Sequence, residues 1–262
     1  MKILVIGDRI VDFYRFGHAT RICPEGPVPV IVEDTKDYRE GGAALVYQQL
    51  LQLTDGVHAI YGSQSLKERI FADDRLVCRI DRDGTDVSPD FLDRVIAHLD
   101  TFESDTSSQG LVISDYGKGA FTEKIAHTVM EKAVEKNITV FVDAKHTWEW
   151  YKWGDYFFPN QHEPVNFSVP YLIQKLGKAG CRVKTQWAYD QTFPLDKVFE
   201  ARDVTGAGDI FLAAFVSMEL PGIENLDVIA KFANRVAAMS VQYLGTRVIT
   251  REELANVEPV VS

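Results

Sequence analysis

The 262-residue chain has few cysteines, no long hydrophobic run and a deficit of positive charge. Cys23, Cys78 and Cys181 lie far apart and belong to no CxxC or Cys/His cluster, which argues against structural zinc and against a disulfide framework. No apolar run approaches the ~20 residues that a membrane-spanning helix needs. The first residues lack the apolar stretch and cleavage site of a signal peptide, so we expect a cytoplasmic protein without a membrane partner.

The net charge also limits the classes of ligand. With 28 basic and 38 acidic residues the formal charge is −10, whereas binding a nucleic-acid backbone needs clustered Lys and Arg. We therefore expect no nucleic-acid partner. A phosphorylated small molecule is not excluded, because its site needs only a few placed donors. The six histidines are scattered without metal-ligand spacing.

Strand and helix patterns alternate along most of the chain. Helices are predicted after Ser88-Pro89, after a Thr122 cap, near Gly206 and near Asp227. Between them stand short apolar runs of the type found in sheets that are covered on both faces. This order predicts an α/β fold with a mostly parallel central sheet. The predicted buried strands are Ile3–Ile6, Leu111–Ser114, Thr139–Val142 and Tyr156–Phe158.

Two regions depart from this alternation and predict a second, smaller sheet. Phe13–Gly17 and Val28–Val32 are extended segments separated by several prolines. Arg69–Asp73 and Leu76–Asp81 predict a hairpin with its turn near Asp73-Asp74. A small β-sheet over one edge of the α/β body accounts for both regions. No repeat or linker divides the chain, so we expect a single domain over residues 1–262.

The segment Asp203–Asp209, with the sequence DVTGAGD, directly precedes the apolar stripe of a long helix. Gly206, Ala207 and Gly208 let a ligand approach the backbone, and the free N–H groups of the first helical turn favour an anion there. Asp209 would stand beside that anion as an ionised general base for an attacking hydroxyl. The alternative is a tight turn in which Asp209 only complements the helix. The P-loop, Rossmann and protein-kinase motifs are absent.

This heptad resembles the C-terminal signature of the PfkB/ribokinase-like carbohydrate kinases. Further motifs of that family stand in the same order along the chain. The closest resemblance is to the kinase domain of ADP-heptose synthesis enzymes, which phosphorylate heptose 7-phosphate at its anomeric hydroxyl. That resemblance rests on Thr20–Val30, Ser114–Gly119 and Val142–Lys145. The family motifs are Gly7–Asp12, Gly41–Ala44, Pro159–Glu163, Gly177–Gly180 and Phe232–Asn234.

The resemblance implies a ribokinase-like three-layer sandwich with a β-sheet lid at about residues 12–38 and 67–82. It implies a kinase in which ATP places its γ-phosphate over Gly206–Gly208 and Asp209 accepts the proton of the sugar hydroxyl. Mg²⁺ would be held through phosphates and water near Asn160 and Glu163, and a monovalent cation near the anion site is left open. A homodimer through the lid would cover the sheet's edges. The implied nucleotide-side residues are Asn160, Glu163, Lys145, Gly177, Gly180 and Asn234, and the implied substrate-side residues are Asp12, Gly41, Gly42, Lys118, Arg21 and Arg79.

Several of these residues have simpler explanations. Asp12 could be an exposed loop acid, and Asn160 with Glu163 could be a capping pair. Lys118 would bind a substrate or nucleotide phosphate, or stand in solvent. Arg21 and Arg79 would meet a substrate phosphate or pair with surface carboxylates.

The chain also departs from the family pattern. Leu45 occupies the place of an asparagine that contacts the sugar, and the chain is shortened between Leu53 and Lys67 and between Glu163 and Tyr171. Three alternatives therefore stay open: a kinase for another sugar or a nucleoside, a non-catalytic sugar- or nucleotide-binding relative, and a structural subunit.

Overall fold

The structure is a computed structural model that describes residues 1–84, 88–103, 108–196, 200–220, 222 and 225–255. Among these residues, ten strands form one sheet, and the strands run mostly parallel, as the sequence predicts. Their order is β10-β9-β8-β7-β6-β5-β1-β3-β4, and β2 pairs with β1. The strands are β1 Lys2–Ile22, β2 Pro29–Gly42, β3 Val57–Ala72, β4 Arg75–Arg82, β5 Gln109–Asp115, β6 Thr139–Ala144, β7 Tyr156–Phe157, β8 Tyr171–Lys175, β9 Cys181–Thr185 and β10 Asp190–Phe193.

Helices cover both faces of the sheet and complete the predicted three layers. Alternate residues of β1 enter two different cores: Ile3 and Val5 pack in one, Leu4 and Ile6 in the other. The first core contains α1, α4 and α5, and the second contains α2 and α3. The helices are α1 Ala43–Leu53, α2 Phe91–Leu99, α3 Glu123–Glu135, α4 Ala207–Glu219, α5 Leu226–Ser240 and α6 Arg251–Ala255. In the described part of the chain, none of them has the length and apolarity to cross a membrane.

The predicted small sheet is present, and we call it the lid. It is not separate from the central layer, because β1 runs through both without interruption. β3 follows β1 in parallel from Val57 to Ala72 and then returns as β4. Asp73 and Asp74 form the turn of this hairpin with φ of 50° and 62°, the pair of positive values that a tight hairpin turn requires.

Two connections are as short as the sequence predicts. Only three residues separate α1 from β3, so β3 enters the lid directly from the central sheet. β7 and β8 are parallel neighbours, yet residues 158–170 between them contain no helix. Val165, Phe167 and Val169 of that connection pack against the core that also contains α2 and α3, and so cover the sheet where a crossover helix would lie.

Candidate active site

The beginning of α4 forms an anion-binding turn near the carboxyl ends of the parallel strands. Gly206 caps the helix in the left-handed region (φ +79°), where L side chains are strained. The Ala207 N–H donates to the carbonyl of Val204 at 3.3 Å. The N–H groups of Gly208 and Asp209 have no acceptor among the described residues, as expected in a first helical turn. These two donors are available to an anion.

Asp209 is buried, with 2% of its surface exposed, and its Oδ1 accepts a 2.7 Å hydrogen bond from the Tyr116 hydroxyl. Burial, assisted by the nearby charge of Asp143, raises the pKa of Asp209 to about 6, and the Tyr116 hydrogen bond, Lys145 and Lys175 oppose that rise. A carboxyl with a pKa of about 6 is ionised roughly ten to one at pH 7. The group is therefore ionised at neutral pH and basic enough to accept a proton.

Tyr116 is held by a buried carboxylate at the end of β1's central segment. Asp8 accepts hydrogen bonds from the N–H groups of Tyr116 (2.7 Å), Lys118 (3.1 Å) and Ala120 (2.9 Å). Ser63 donates a further bond of 2.6 Å to Asp8. The three N–H bonds fix the loop after β5, and so they position the Tyr116 hydroxyl against Asp209; the Ser63 bond holds the Asp8 carboxylate from β3.

Two lysines stand beside the anion-binding turn. Lys175 at the end of β8 forms a buried ion pair with Asp143, and its Nζ lies 3.4 Å from the position of a Cβ built on Gly208. Lys145 bridges Asp143 at 3.7 Å and Glu163 at 3.3 Å. Neither Lys175 nor Asp143 was predicted as a site residue. Asp143 lies within the segment Val142–Lys145, on which the resemblance rests, whereas the only signal for Lys175 was its place at the end of a strand.

Asn160 and Glu163 are tied to each other. Glu163 accepts hydrogen bonds from the backbone N–H of Asn160 (2.8 Å) and from its amide Nδ2 (2.9 Å). In the described part of the chain no three acidic, His or Cys residues are grouped to hold a metal ion. Asp143 Oδ1 is buried without a hydrogen-bond partner there. This arrangement fits Mg²⁺ held through nucleotide phosphates and water, with Asp143, Asn160 and Glu163 in its surroundings, and does not form a direct ligand set.

A cavity of about 310 Å³ opens from the anion-binding turn. Ala207, Gly208, Lys175 and Asn160 form its polar end, where phosphates would lie. Its far end is largely apolar, as a planar base requires. The remaining lining residues include Gly177, Lys178, Gly180, Leu195, Phe211, Asn234, Ala237, Ala238 and Val241.

Two of the predicted nucleotide-side residues shape this cavity through the backbone. Gly180 has φ +88°, and a Cβ there would collide with the carbonyl of Phe193. Asn234 of α5 donates a 2.8 Å hydrogen bond from Nδ2 to that same carbonyl. Lys145 is not among the residues that line the cavity; its Nζ lies 5.0 Å from the ring centroid of Tyr116.

Asp12 lies in β1 and is buried, and so it is not an exposed loop residue. Its Oδ1 is paired with Arg69 of β3, and both side chains are buried. Its Oδ2 lies 2.8 Å from the position of a Cβ built on Gly41, so only glycine leaves that oxygen accessible from this side. Gly42 (φ +59°) caps α1. Burial raises the pKa of Tyr116, and the charges of Asp209, Asp143 and Asp12 contribute to that rise.

Comparison with known proteins shows which family this chain resembles. Residues 159–253 match the family described as pfkB family carbohydrate kinase. The matched segment contains Asn160, Glu163, the anion-binding turn and Asn234. The chain is 30% identical over 305 positions to the bifunctional protein HldE of Campylobacter jejuni, with 97% of the chain and 64% of that protein aligned. HldE of Gluconobacter oxydans is also 30% identical, over 307 positions. The chain thus spans somewhat less than two thirds of the length of these curated relatives.

Solved structures share the fold of this chain. Phosphofructokinase-2 from Escherichia coli, solved in complex with potassium, has a TM-score of 0.75 at 14% identity and 97% coverage of both chains. Ribokinase from Arabidopsis thaliana, complexed with ribose and ATP, has a TM-score of 0.70 at 17% identity, covering 100% and 99% of the two chains. The fold is therefore ribokinase-like.

The alignment with the first of these relatives agrees with the shortened connections of this chain. It extends over 305 positions although the chain has 262 residues, so more than 40 positions of that relative have no counterpart here. Deletions in the α1–β3 and β7–β8 connections would account for these missing positions, because both connections are short and contain no helix.

The other predicted substrate-side residues are paired with neighbouring carboxylates or exposed. Lys118 forms an ion pair with Asp83 at 2.7 Å, and Arg79 of β4 pairs with Asp81 at 2.8 Å. Arg21 is exposed and stands nine residues beyond Asp12 on β1, which corresponds to roughly 30 Å along a strand. The structure thus brings Asp12, Gly41 and Gly42 to the site and leaves Arg21 at the far end of the lid.

Proposed function

We propose that this chain is a kinase that transfers the γ-phosphoryl group of ATP to the anomeric hydroxyl of a heptose 7-phosphate, with Asp209 as general base. The observation that carries the proposal is the placement of one buried carboxylate beside the free N–H groups of Gly208 and Asp209, at the polar end of a nucleotide-sized cavity. The acceptor is inferred from the 30% identity to HldE proteins and from the motifs around Tyr116 and Lys145.

The residues act in a defined order. Asp12 Oδ2 and the Gly41-Gly42 turn orient the sugar, and Asp209 takes the proton of the attacking hydroxyl as the O–P bond forms. The N–H groups of Gly208 and Asp209 stabilise charge on the phosphoryl oxygens in flight. Lys175 lies beside those donors and adds a positive charge there. Bound Mg²⁺ would neutralise the nucleotide's phosphates. The proton rests on Asp209 until the product leaves.

A monovalent cation near the anion-binding turn is part of the same proposal. The similar phosphofructokinase-2 was solved in complex with potassium. In this chain Thr246 Oγ1 is buried without a hydrogen-bond partner in the described residues, and the Thr246 side chain lies 3.0 Å from the position of a Cβ built on Gly206. A cation bound here would support the first turn of α4.

We further propose one kinase unit over residues 1–262, with lid segments at about 12–38 and 67–82, that dimerises through the lid and works in the cytoplasm. Every residue of β4 is exposed, including Leu76, Val77 and Ile80. The edge strand of the lid thus exposes apolar side chains that a second copy of the chain would bury. The three cysteines are unpaired, as in a reducing compartment. Light scattering would test the dimer: a monomeric mass at working concentration contradicts it.

The test of the activity is an ADP-release screen over heptose 7-phosphate, hexoses, pentoses and nucleosides, run beside Asp209→Asn. We expect the highest kcat/KM for heptose 7-phosphate and a loss of at least ~100-fold in the variant, the scale of a general base. The variant should still bind nucleotide in calorimetry, because the cavity and the backbone donors are unchanged. Full activity of Asp209→Asn, or no turnover of any acceptor by the unaltered chain, contradicts the proposal.

A kinase for a different sugar is the second candidate, and Leu45 is the observation that favours it. Leu45 is buried in the core and offers no hydrogen bond at a position where the family has an asparagine that contacts the sugar. The same screen separates the candidates, because another acceptor would then show the highest kcat/KM while the dependence on Asp209 persists.

A further inference from the structure

The inner face of the lid carries a cluster of charged side chains. Strand register places Asp12 beside Lys67 and Tyr14 beside Arg69 on β1 and β3. On β3 and β4 it places Lys67 beside Asp81 and Arg69 beside Arg79. Because residues opposite each other on neighbouring strands share a face, all of these side chains point to the same side of the lid. That side is the one on which Asp12 meets the acceptor.

The charges in this cluster do not balance. Arg69 is paired with Asp12, and Arg79 is paired with Asp81. Lys67 forms no ion pair with any carboxylate in the described part of the chain. It is half-buried, and burial lowers its pKa; Asp12 and Asp81, its neighbours across the strands, oppose that shift, and Arg69 and Arg79 add to it. The three cations of the cluster face two carboxylates, each already paired with an arginine, so one positive charge is unmatched and creates a place for an anion.

The position of Lys67 relates this place to the catalytic carboxylate. Its Nζ lies 5.9 Å from the ring centroid of Tyr116, whose hydroxyl is bonded to Asp209. The nucleotide cavity, by contrast, has Lys175 at its polar end and contains no lid residue in its lining. Lys67 therefore faces the far end of an acceptor whose hydroxyl meets Asp209.

We propose that Lys67, with Arg69 and Arg79 on the same face of the lid, binds the phosphate group of a phosphorylated sugar acceptor. This inference rests on the proposed kinase function and deepens it, because it assigns the substrate to the sugar phosphates and not to the neutral sugars. The dianionic phosphomonoester supplies the charge that the cluster lacks, and Lys67 donates to its oxygens.

The test compares Lys67→Met with Lys67→Arg and with Lys36→Met, which alters an exposed lysine on the outer face of the lid. Methionine preserves the apolar stem of Lys67, so the strand should still pack. We expect Lys67→Met to raise the KM for heptose 7-phosphate at least ~10-fold, the effect of losing one charge-assisted contact. Its KM for unphosphorylated heptose and for ATP should change less than about threefold. Lys67→Arg should recover part of the loss, and Lys36→Met should behave like the unaltered kinase.

Three results would overturn the assignment: equal effects on phosphorylated and unphosphorylated heptose, an effect confined to the KM for ATP, or no effect of Lys67→Met. Calorimetry with heptose 7-phosphate in the absence of ATP gives a reading independent of turnover. If no acceptor is phosphorylated but heptose 7-phosphate binds in a Lys67-dependent way, the kinase proposal fails and the phosphate site stands. If turnover is normal and the binding of heptose 7-phosphate does not depend on Lys67, the kinase proposal stands and the phosphate site fails.

Discussion

The hydroxyl of Tyr116 donates a 2.7 Å hydrogen bond to Oδ1 of Asp209, and this bond links the acceptor side of the site to the beginning of α4. The Tyr116 ring has the ammonium groups of Lys145 and Lys67 at 5.0 and 5.9 Å from its centroid. One oxygen of the catalytic carboxylate is thus engaged by a buried phenol whose ring also contacts two cations. Such an arrangement fixes the direction in which Asp209 can accept a proton.

Replacing Tyr116 by phenylalanine should shift the pH dependence of the kinase. The pKa of Asp209 is about 6, and the Tyr116 hydrogen bond holds it lower than burial alone would. The base must be ionised, so kcat/KM should fall below about pH 6, and in Tyr116→Phe that fall should begin at a higher pH. Profiles of kcat/KM between pH 5 and pH 9 measure this, with Tyr38→Phe, an exposed lid tyrosine, as the control. If kcat/KM of Tyr116→Phe falls at the same pH as in the unaltered protein, the hydrogen bond does not determine the pKa of Asp209.

Lys175 should contribute to the rate and not mainly to nucleotide binding. Its Nζ lies beside Gly208, where charge develops on the transferring phosphoryl group. We expect Lys175→Met to lower kcat about 100-fold, the scale of losing one oxyanion donor. The exposed Lys184→Met on β9 should leave kcat unchanged.

The substitution at Lys175 also leaves Asp143 without its partner inside the protein. The double variant Lys175→Met/Asp143→Asn removes that unpaired charge and so separates catalysis from folding. If the double variant regains full kcat, Lys175 serves only to neutralise Asp143.

Local sequence signals predicted the elements that depend on local chemistry. Thr122 caps α3 by accepting a hydrogen bond from the Ile125 N–H at 3.3 Å, as its position before an apolar stripe indicates. The Asp73-Asp74 turn and the glycine-rich beginning of α4 are of the same kind. In each case the residues that determine the conformation lie within a few positions of one another.

The rest of the site depends on pairings between distant segments. Asp12 and Arg69 are separated by 57 residues, and Tyr116 and Asp209 by 93. Nothing near Lys175 in the chain indicates that its amino group reaches Gly208, since β8 must first take its place in the sheet. The sequence also did not predict that β1 and β3 continue from the central sheet into the lid, because their lid halves are polar and lack the apolar pattern of a central strand.

Leu45 should prove to be a core residue and not a substrate contact. It is buried in the core shared by α1 and α4, and one of its methyl groups lies 2.5 Å from the position of a Cβ built on Gly206. Leu45→Asn should lower the free energy of unfolding by about 3 kcal/mol, because it removes buried methyl groups and buries an amide. Urea denaturation measures the change, and the more exposed Leu51→Asn in the same helix is the control. A stable variant with a lower KM for the sugar would instead place this side chain in the acceptor site.

Asp209 should reduce the stability of the folded protein at neutral pH. Its pKa is raised from 3.8 to about 6 by burial, so ionising it in the folded state is harder than in the unfolded chain. The folded state therefore loses stability as the pH rises from about 4 to about 6, and the loss persists above that range. Asp209→Asn lacks this ionisation, and at pH 8 it should be more stable than the unaltered kinase by up to about 3 kcal/mol.

The sign of that prediction is tested by comparing the two proteins at two pH values. At pH 4 the buried carboxyl is largely protonated in the folded state, so most of the difference in unfolding free energy should disappear. Urea denaturation of both proteins at pH 4 and pH 8 measures it, with Asp55→Asn as a control at a fully accessible carboxylate. An equal difference at both pH values would mean that packing, and not the charge of Asp209, is responsible. A less stable variant at pH 8 would mean that the ionised carboxylate is compensated by Lys145 and Lys175, and that the folded protein incurs no cost in keeping its base buried.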